Sequence, residues 1–281
     1  MRNLPKPTLD AQKYYQLISS EKRGFRSRQL ALAKNKVCVA YVEYLAKAHD
    51  FASLIPIDLP STRKKALVHA YSSRTKSLTI MRDYLLAPEV NDFDECPYCG
   101  IGEPLTLDHY IPKETHPEFA ILPANLVPLC HACNTVYKRD QFLCAGGNRI
   151  FIHSYFDTIP AYSFIRASID STGTETIVSF KINHDPANAD FSLVLERQFL
   201  ALNLAERFFK KSASMMSRNN PTFQRFFKSG GGARLAMELR ALADGLRPSR
   251  TSNHWEVALI DALAASAEFC GGGFVKPIRR G

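Results

Sequence analysis

The sequence predicts an α+β protein, and three observations carry that reading. Apolar residues return at helical spacing through much of the first 90 residues and again beyond residue 190. Residues 163–169 and 176–182 alternate apolar with polar, and the turn-rich Asp170-Ser171-Thr172-Gly173 between them suits a hairpin. Between the helical regions lies a cysteine-bearing stretch, 96–138, too short to bury a core of its own. The expected organisation is therefore a helical, basic region 1–90, a small central core 91–150, and a C-terminal α+β region 151–281 whose apolar helices can dock a partner.

The elements follow in order. Residues 1–36 carry nine cations against Asp10 and Glu21, with Tyr14, Tyr15 and Phe25 interleaved. That stretch reads either as a solvated arm or as a face along a phosphate backbone. Residues 30–49 read as a helix with Leu32, Val39, Val42 and Leu45 on its apolar face. Ser61 or Thr62 can cap a second helix reaching about residue 86, with Leu67, Tyr71, Leu78, Met81 and Leu85 as packing residues. Pro88 should end it, and residues 91–95 form an acidic linker. After the hairpin, Asp190 or Ser192 caps a long amphipathic helix to about Lys211. The triplet 230–232 should break the chain before a helix at 233–246, Pro248 should separate the last helix, 254–269, and the tail after it should be mobile.

Composition sets bounds on function. No apolar run approaches the roughly 20 residues of a membrane span, and MRNLPKPTLDAQKYY holds no apolar core or cleavage site of a secretory leader. Of seven cysteines, four form two close pairs, while Cys38, Cys144 and Cys270 stand alone. That usage suits a metal site in a reducing compartment, hence the cytoplasm, and no membrane partner. The formal charge of +9 calls for an acidic partner, of which nucleic acid is the commonest.

The central stretch holds the chemistry. Cys96, Cys99, Cys130 and Cys133 have the spacing of a tetrahedral zinc site. Residues 106–108 read as a short strand ending in Asp108-His109, residues 125–129 as its return, and 130–138 as a helix from which Asn134 can face Asp108. An Asp, a His and an Asn gathered there can hold a second, catalytic metal.

Read together, CPYC, LDHYIPK and NLVPLCHACN resemble the HNH endonucleases, in the form whose ββα-metal core is braced by four cysteines and zinc. The resemblance implies hydrolysis of phosphodiester bonds, in DNA or less characteristically RNA, with Mg2+ or Mn2+ held by Asp108 and Asn134. It implies His109 as the base toward water and Asn125 as the residue that orients the loop and the His109 ring. Asn134 stands where other forms of the motif end in histidine, which leaves the metal preference open. The wording HPEFAILPANL is also similar to nuclease subunits of Septu-type and retron-associated phage-defence systems. That likeness implies an ATPase partner subunit and a role in antiviral defence.

Neighbouring residues have duller readings beside functional ones. Lys113 and Lys138 flank the proposed metal and are either phosphate contacts or surface lysines. His131 is a fifth candidate zinc ligand or a bystander, His116 a metal or phosphate contact or an exposed loop residue, and His153 a packing residue. Cys144 reads as a small core residue. Two rival functions stand beside the nuclease of a defence system. One is a silent zinc-binding adaptor that holds nucleic acid; the other is a site-specific homing or restriction enzyme acting alone.

Overall fold

A computed structural model describes residues 1–87 and 94–281 and divides the chain into two compact units, Asn3–Ile159 and Met1–Arg2 with Pro160–Gly281. The expected stop at Pro88 and the start of the acidic linker at Asn91 lie outside the described residues. The architecture is α+β, as the sequence predicts.

The helices of the unit Asn3–Ile159 begin with α1 (Ala11–Ser20) and α2 (Gly24–Ala46), so the basic stretch is helical from Ala11 on apart from residues 21–23. Asp10 caps α1 by accepting from the Lys13 amide. Tyr15, expected among the contact residues, is buried edge-on to Tyr41 and donates to the Leu30 carbonyl at 2.8 Å. Helix α2 corrects the predicted face. Leu32, Val39, Val42 and Leu45 are exposed, and the helix instead buries Leu30, Ala33, Val37, Ala40, Tyr41 and Tyr44. Small residues and tyrosines, set one turn apart, fit closer packing than the more apolar opposite side.

The single helix expected up to residue 86 is two, α3 (Ser61–Ser72) and α4 (Lys76–Leu86). Thr75 restarts the chain by accepting from the Leu78 amide, and the Glu21 carboxylate accepts from the Ser77 amide at 3.0 Å. A carboxylate at a helix N-terminus satisfies a free amide and favours the dipole there. Strands β1 (Thr106–His109) and β2 (Leu126–Leu129) pair antiparallel, with Asp108 opposite Val127 and His109 opposite Leu126. A short helix, Ala132–Lys138, follows with π-type winding: the Arg139 amide reaches back five residues to the Asn134 carbonyl at 2.7 Å. An aromatic core of Tyr44, Phe51, Tyr110, Phe119 and His153 lies behind the strands.

The unit Pro160–Gly281 contains the predicted hairpin, β3 (Ile165–Asp170) and β4 (Thr176–Ile182). Its tail is not loose: β5 (Ile278–Arg280) pairs parallel to β4, and the Lys276 ammonium donates to the Gly173 carbonyl at 2.7 Å. The long helix expected to reach Lys211 is interrupted, because Asn203 adopts φ 48° between α5 (Ala189–Ala201) and α6 (Leu204–Arg250). Within α6 the backbone leaves helical geometry at Gly230 and Gly231, so two helical stretches meet at the expected break, and the second runs on past Pro248. Then come α7 (Trp255–Ala265), capped by His254, and α8 (Ala267–Cys270), capped by Ser266. Phe208 links the layers, edge-on to Phe180 and stacked near Trp255.

Candidate functional site

Two short turns bring the four cysteines together. The Cys96 amide donates to the Gly102 carbonyl at 2.7 Å, the Gly100 amide to the Cys96 carbonyl at 2.8 Å, and the Cys133 amide to Cys130 Sγ at 3.4 Å. Gly102 lies close against the cluster, since a Cβ there would stand 3.1 Å from Cys130 Cβ. The four Sγ atoms all lie within 4.8 Å of one another, with Cys99 and Cys130 at 3.8 Å. A tetrahedral zinc ion with Zn–S near 2.3 Å sets its sulfurs about 3.8 Å apart, so the donors fit zinc in type and spacing. All four are buried, and burial pushes the Cys96 thiol well up, so thiolates here call for a cation. His131 is exposed, bonds to Thr135, and is not part of this cluster.

Strand alternation sorts the polar residues of β1 onto two sides. On one side, Thr106 and Asp108 face the short helix. Asn134 Nδ2 donates to Thr106 Oγ1 at 3.0 Å. Lys138 Nζ donates to Asp108 Oδ1 at 3.2 Å and to the His109 carbonyl at 2.9 Å. Asp108 Oδ2 accepts no hydrogen bond, although Nζ lies 2.9 Å away. Burial raises the Asp108 carboxyl to about 6, with Lys138 and Lys113 opposing the rise.

On the other side, His109 Nε2 lies 2.9 Å from the Ala120 carbonyl. A carbonyl only accepts, so Nε2 carries the hydrogen and Nδ1 keeps its lone pair. Burial lowers His109 to about 3, and Lys113 and Lys138 add to the lowering. The resting ring is therefore neutral near pH 7. Asn125 behaves as a strut: its Oδ1 accepts from the Ile111 amide at 2.8 Å, its Nδ2 donates to the Ile111 carbonyl at 3.0 Å, and Tyr44 donates to Oδ1 at 3.1 Å. It fixes the loop leaving His109.

Several expectations change here. Lys138, expected at the nucleic-acid surface, is fully buried, because its ammonium is spent on Asp108 and the His109 carbonyl. Lys113 remains partly exposed and pairs with Glu114 at 2.7 Å. His116 is buried against Phe119, with Nε2 3.4 Å from the Leu54 carbonyl. His153 packs in the core as expected, against Phe51 and 2.9 Å from the Tyr44 hydroxyl. Cys144 is half-exposed, not a core residue, since it sits in the turn closed by the Gly147 amide.

Sequence reading missed Tyr71 and Arg82. The Tyr71 ring stands edge-on to His109 at 4.3 Å, its hydroxyl donates to the Leu107 carbonyl at 3.2 Å, and Arg82 Nη1 donates to that hydroxyl at 2.7 Å. Tyr71 had the periodicity of a packing residue, and nothing local in the sequence marks it as the wall of His109.

Residues 96–139 match the model of the HNH endonuclease family, and this match supports a nuclease-type function. The chain is also similar to protein ea31 of Escherichia phage lambda, 28% identical over 198 residues, 65% of this chain and 66% of that protein. The chain thus spans just under two thirds of that relative's length. No solved structure matches it. No helix among the described residues is long and apolar enough to cross a membrane.

Proposed function

We propose that the chain is a metal-dependent DNA endonuclease in which His109 is the general base. The observation that carries the reading is the tautomer at His109: the Ala120 carbonyl holds Nε2–H and leaves Nδ1 free to take a proton from water. Asn125 keeps the loop beyond His109 in place, and Tyr71 limits rotation of the imidazole. Asp108 and Asn134 supply carboxylate and amide oxygens, donors suited to Mg2+ or Mn2+. A divalent ion there supplies charge neutralisation at the scissile phosphate. Lys113, partly exposed and close enough to act on His109 electrostatically, is the phosphate contact of this reading.

The experiment is plasmid cleavage with Mg2+ or Mn2+ by the purified protein and its His109→Ala variant. Wild type should nick or cut, and the variant should lose at least about a hundredfold, the usual worth of a general base. Equal behaviour of the two would sink the proposal.

A second reading is favoured by one feature, the Lys138 ammonium already neutralising Asp108. In that reading the segment is a zinc-braced adaptor that holds nucleic acid without cutting it. A defence role and an ATPase partner belong to the loop wording 116–126 alone, and co-purification with a neighbouring-gene ATPase tests them.

A further inference from the structure

We propose that the exposed face of α6 formed by Lys211, Arg218, Arg225 and Lys228 binds the phosphate backbone of duplex DNA. The proposal rests on the nuclease reading and places a substrate-holding surface far outside the matched segment 96–139.

The sequence gives the first reason. Residues 207–237 hold seven Lys and Arg and no Asp or Glu, in a chain whose formal charge is +9. The four residues recur at intervals of seven, seven and three, which keeps them on one side of a helix. The structure agrees, since all four are exposed while Phe208, Ser212, Met215, Met216 and Phe223 are buried on the opposite side.

Charge pairing gives the second reason. Elsewhere along α6, three cations are matched by acids, Lys210 with Glu206 at 3.1 Å, Arg234 with Glu238 at 2.5 Å, and Arg247 with Asp244 at 2.6 Å, while Arg240 reaches the Ala264 carbonyl instead. Lys211, Arg218, Arg225 and Lys228 make no salt bridge among the described residues. A face needed only for solubility is served by mixed charge, and like charges along one helix cost stability. An acid-free face is instead the form that releases counterions from a polyanion.

Geometry fits the partner. Seventeen residues of helix rise about 25 Å, the length of about seven base pairs. Ser214 and Gln224, exposed on the same side or its margin, add neutral donors of the kind that bond phosphate oxygens.

The test uses the full chain carrying His109→Ala, so that DNA survives, and fluorescence anisotropy with a labelled duplex of about 30 base pairs over about 50 to 300 mM NaCl. Replacing Lys211, Arg218, Arg225 and Lys228 by Gln should flatten the log–log salt slope by about 3 to 4 and weaken binding at least about tenfold at the low end. Circular dichroism and melting should match the parent, because all four side chains are exposed. A matched quadruple at the exposed Arg23, Arg26, Arg28 and Lys36 should lose less. An unchanged slope, an equal loss in the matched quadruple, or binding to phosphatidylserine vesicles in place of DNA would overturn the proposal. Plasmid cleavage is scored separately with the wild type, so an inert enzyme that still binds through α6 removes the nuclease reading and keeps this one.

Discussion

At the residue scale, Asp108 and Lys138 constrain the centre most. Both are nearly or fully out of water, and neither is tolerable there alone. Replacing Lys138 by Met strands a buried carboxylate and should cost about 3–5 kcal/mol in urea unfolding. Adding Asp108→Asn should recover much of that loss. If the single variant is as stable as wild type, the pair is not the buried contact described. Asn125→Ala should cost about 1–3 kcal/mol, because it leaves the Ile111 amide unsatisfied in the core. Acid sensitivity follows from the histidines. Burial holds His109, His116 and His153 below the ordinary value of about 6.5, His109 at about 3. Their folded pKa values lie below the unfolded ones, so the stability is complete above about pH 6.5 and is lost as pH falls toward the folded values. Asp108 has the opposite sign: raised to about 6, it gains relative stability as pH falls from there toward its unfolded value of about 3.9. Burial raises the Glu118 carboxyl as well and lowers His69, so four imidazoles stand against two carboxyls and urea midpoints should fall from about pH 7 to pH 5. Zinc content followed in parallel separates this from protonation of the cysteines.

At the scale of elements, what the sequence reveals depends on whether the signal is local. Cys96, Cys99, Cys130 and Cys133 are legible because only two residues separate the members of each pair, and the hairpin is legible because alternation is a property of adjacent residues. The face of α2 is not. Leu32, Val39, Val42 and Leu45 look like the buried stripe, but Ala33, Ala40, Tyr41 and Tyr44 take that place because of what packs against them. Tyr44 illustrates the difference, since its hydroxyl contacts both Asn125 and His153, partners more than 80 residues away. Lys138 escaped for the same reason: only the crossing of strand and helix puts its ammonium on Asp108. The kink in α6 was half legible. The glycine triplet marks the point where two helices meet, as expected, but nothing in the sequence sets the angle between them, and the second helix continues past Pro248. Gly231 has φ 67° and ψ −164°, a backbone open in practice only to glycine. Gly231→Ala should lower stability by about 1–3 kcal/mol although no atom lies within 4 Å of the added Cβ. A thermal melt checks it, and a neutral result would mean that the bend relaxes.

At the scale of the whole molecule, the four-cysteine cluster and the single tryptophan lie in different units. The four cysteines belong to Asn3–Ile159, where they flank two four-residue strands and the seven-residue helix Ala132–Lys138. A metal that binds only the folded form contributes its binding free energy to folding, and its removal takes that away. The only tryptophan, Trp255, is buried in Pro160–Gly281, against Phe208. Its emission therefore reports that unit alone, whereas far-ultraviolet circular dichroism reports both. A strong chelator should shift part of the dichroism melt to lower temperature, by about 5 °C or more if a few kcal/mol are lost. The Trp255 transition should stay where it was. Cys99→Ser should reproduce the chelated melt without chelator, because three thiols leave the tetrahedron open. If Trp255 emission moves together with the dichroism, the two units unfold as one cooperative body, and metal at the cysteines stabilises the helices beyond Pro160 as well.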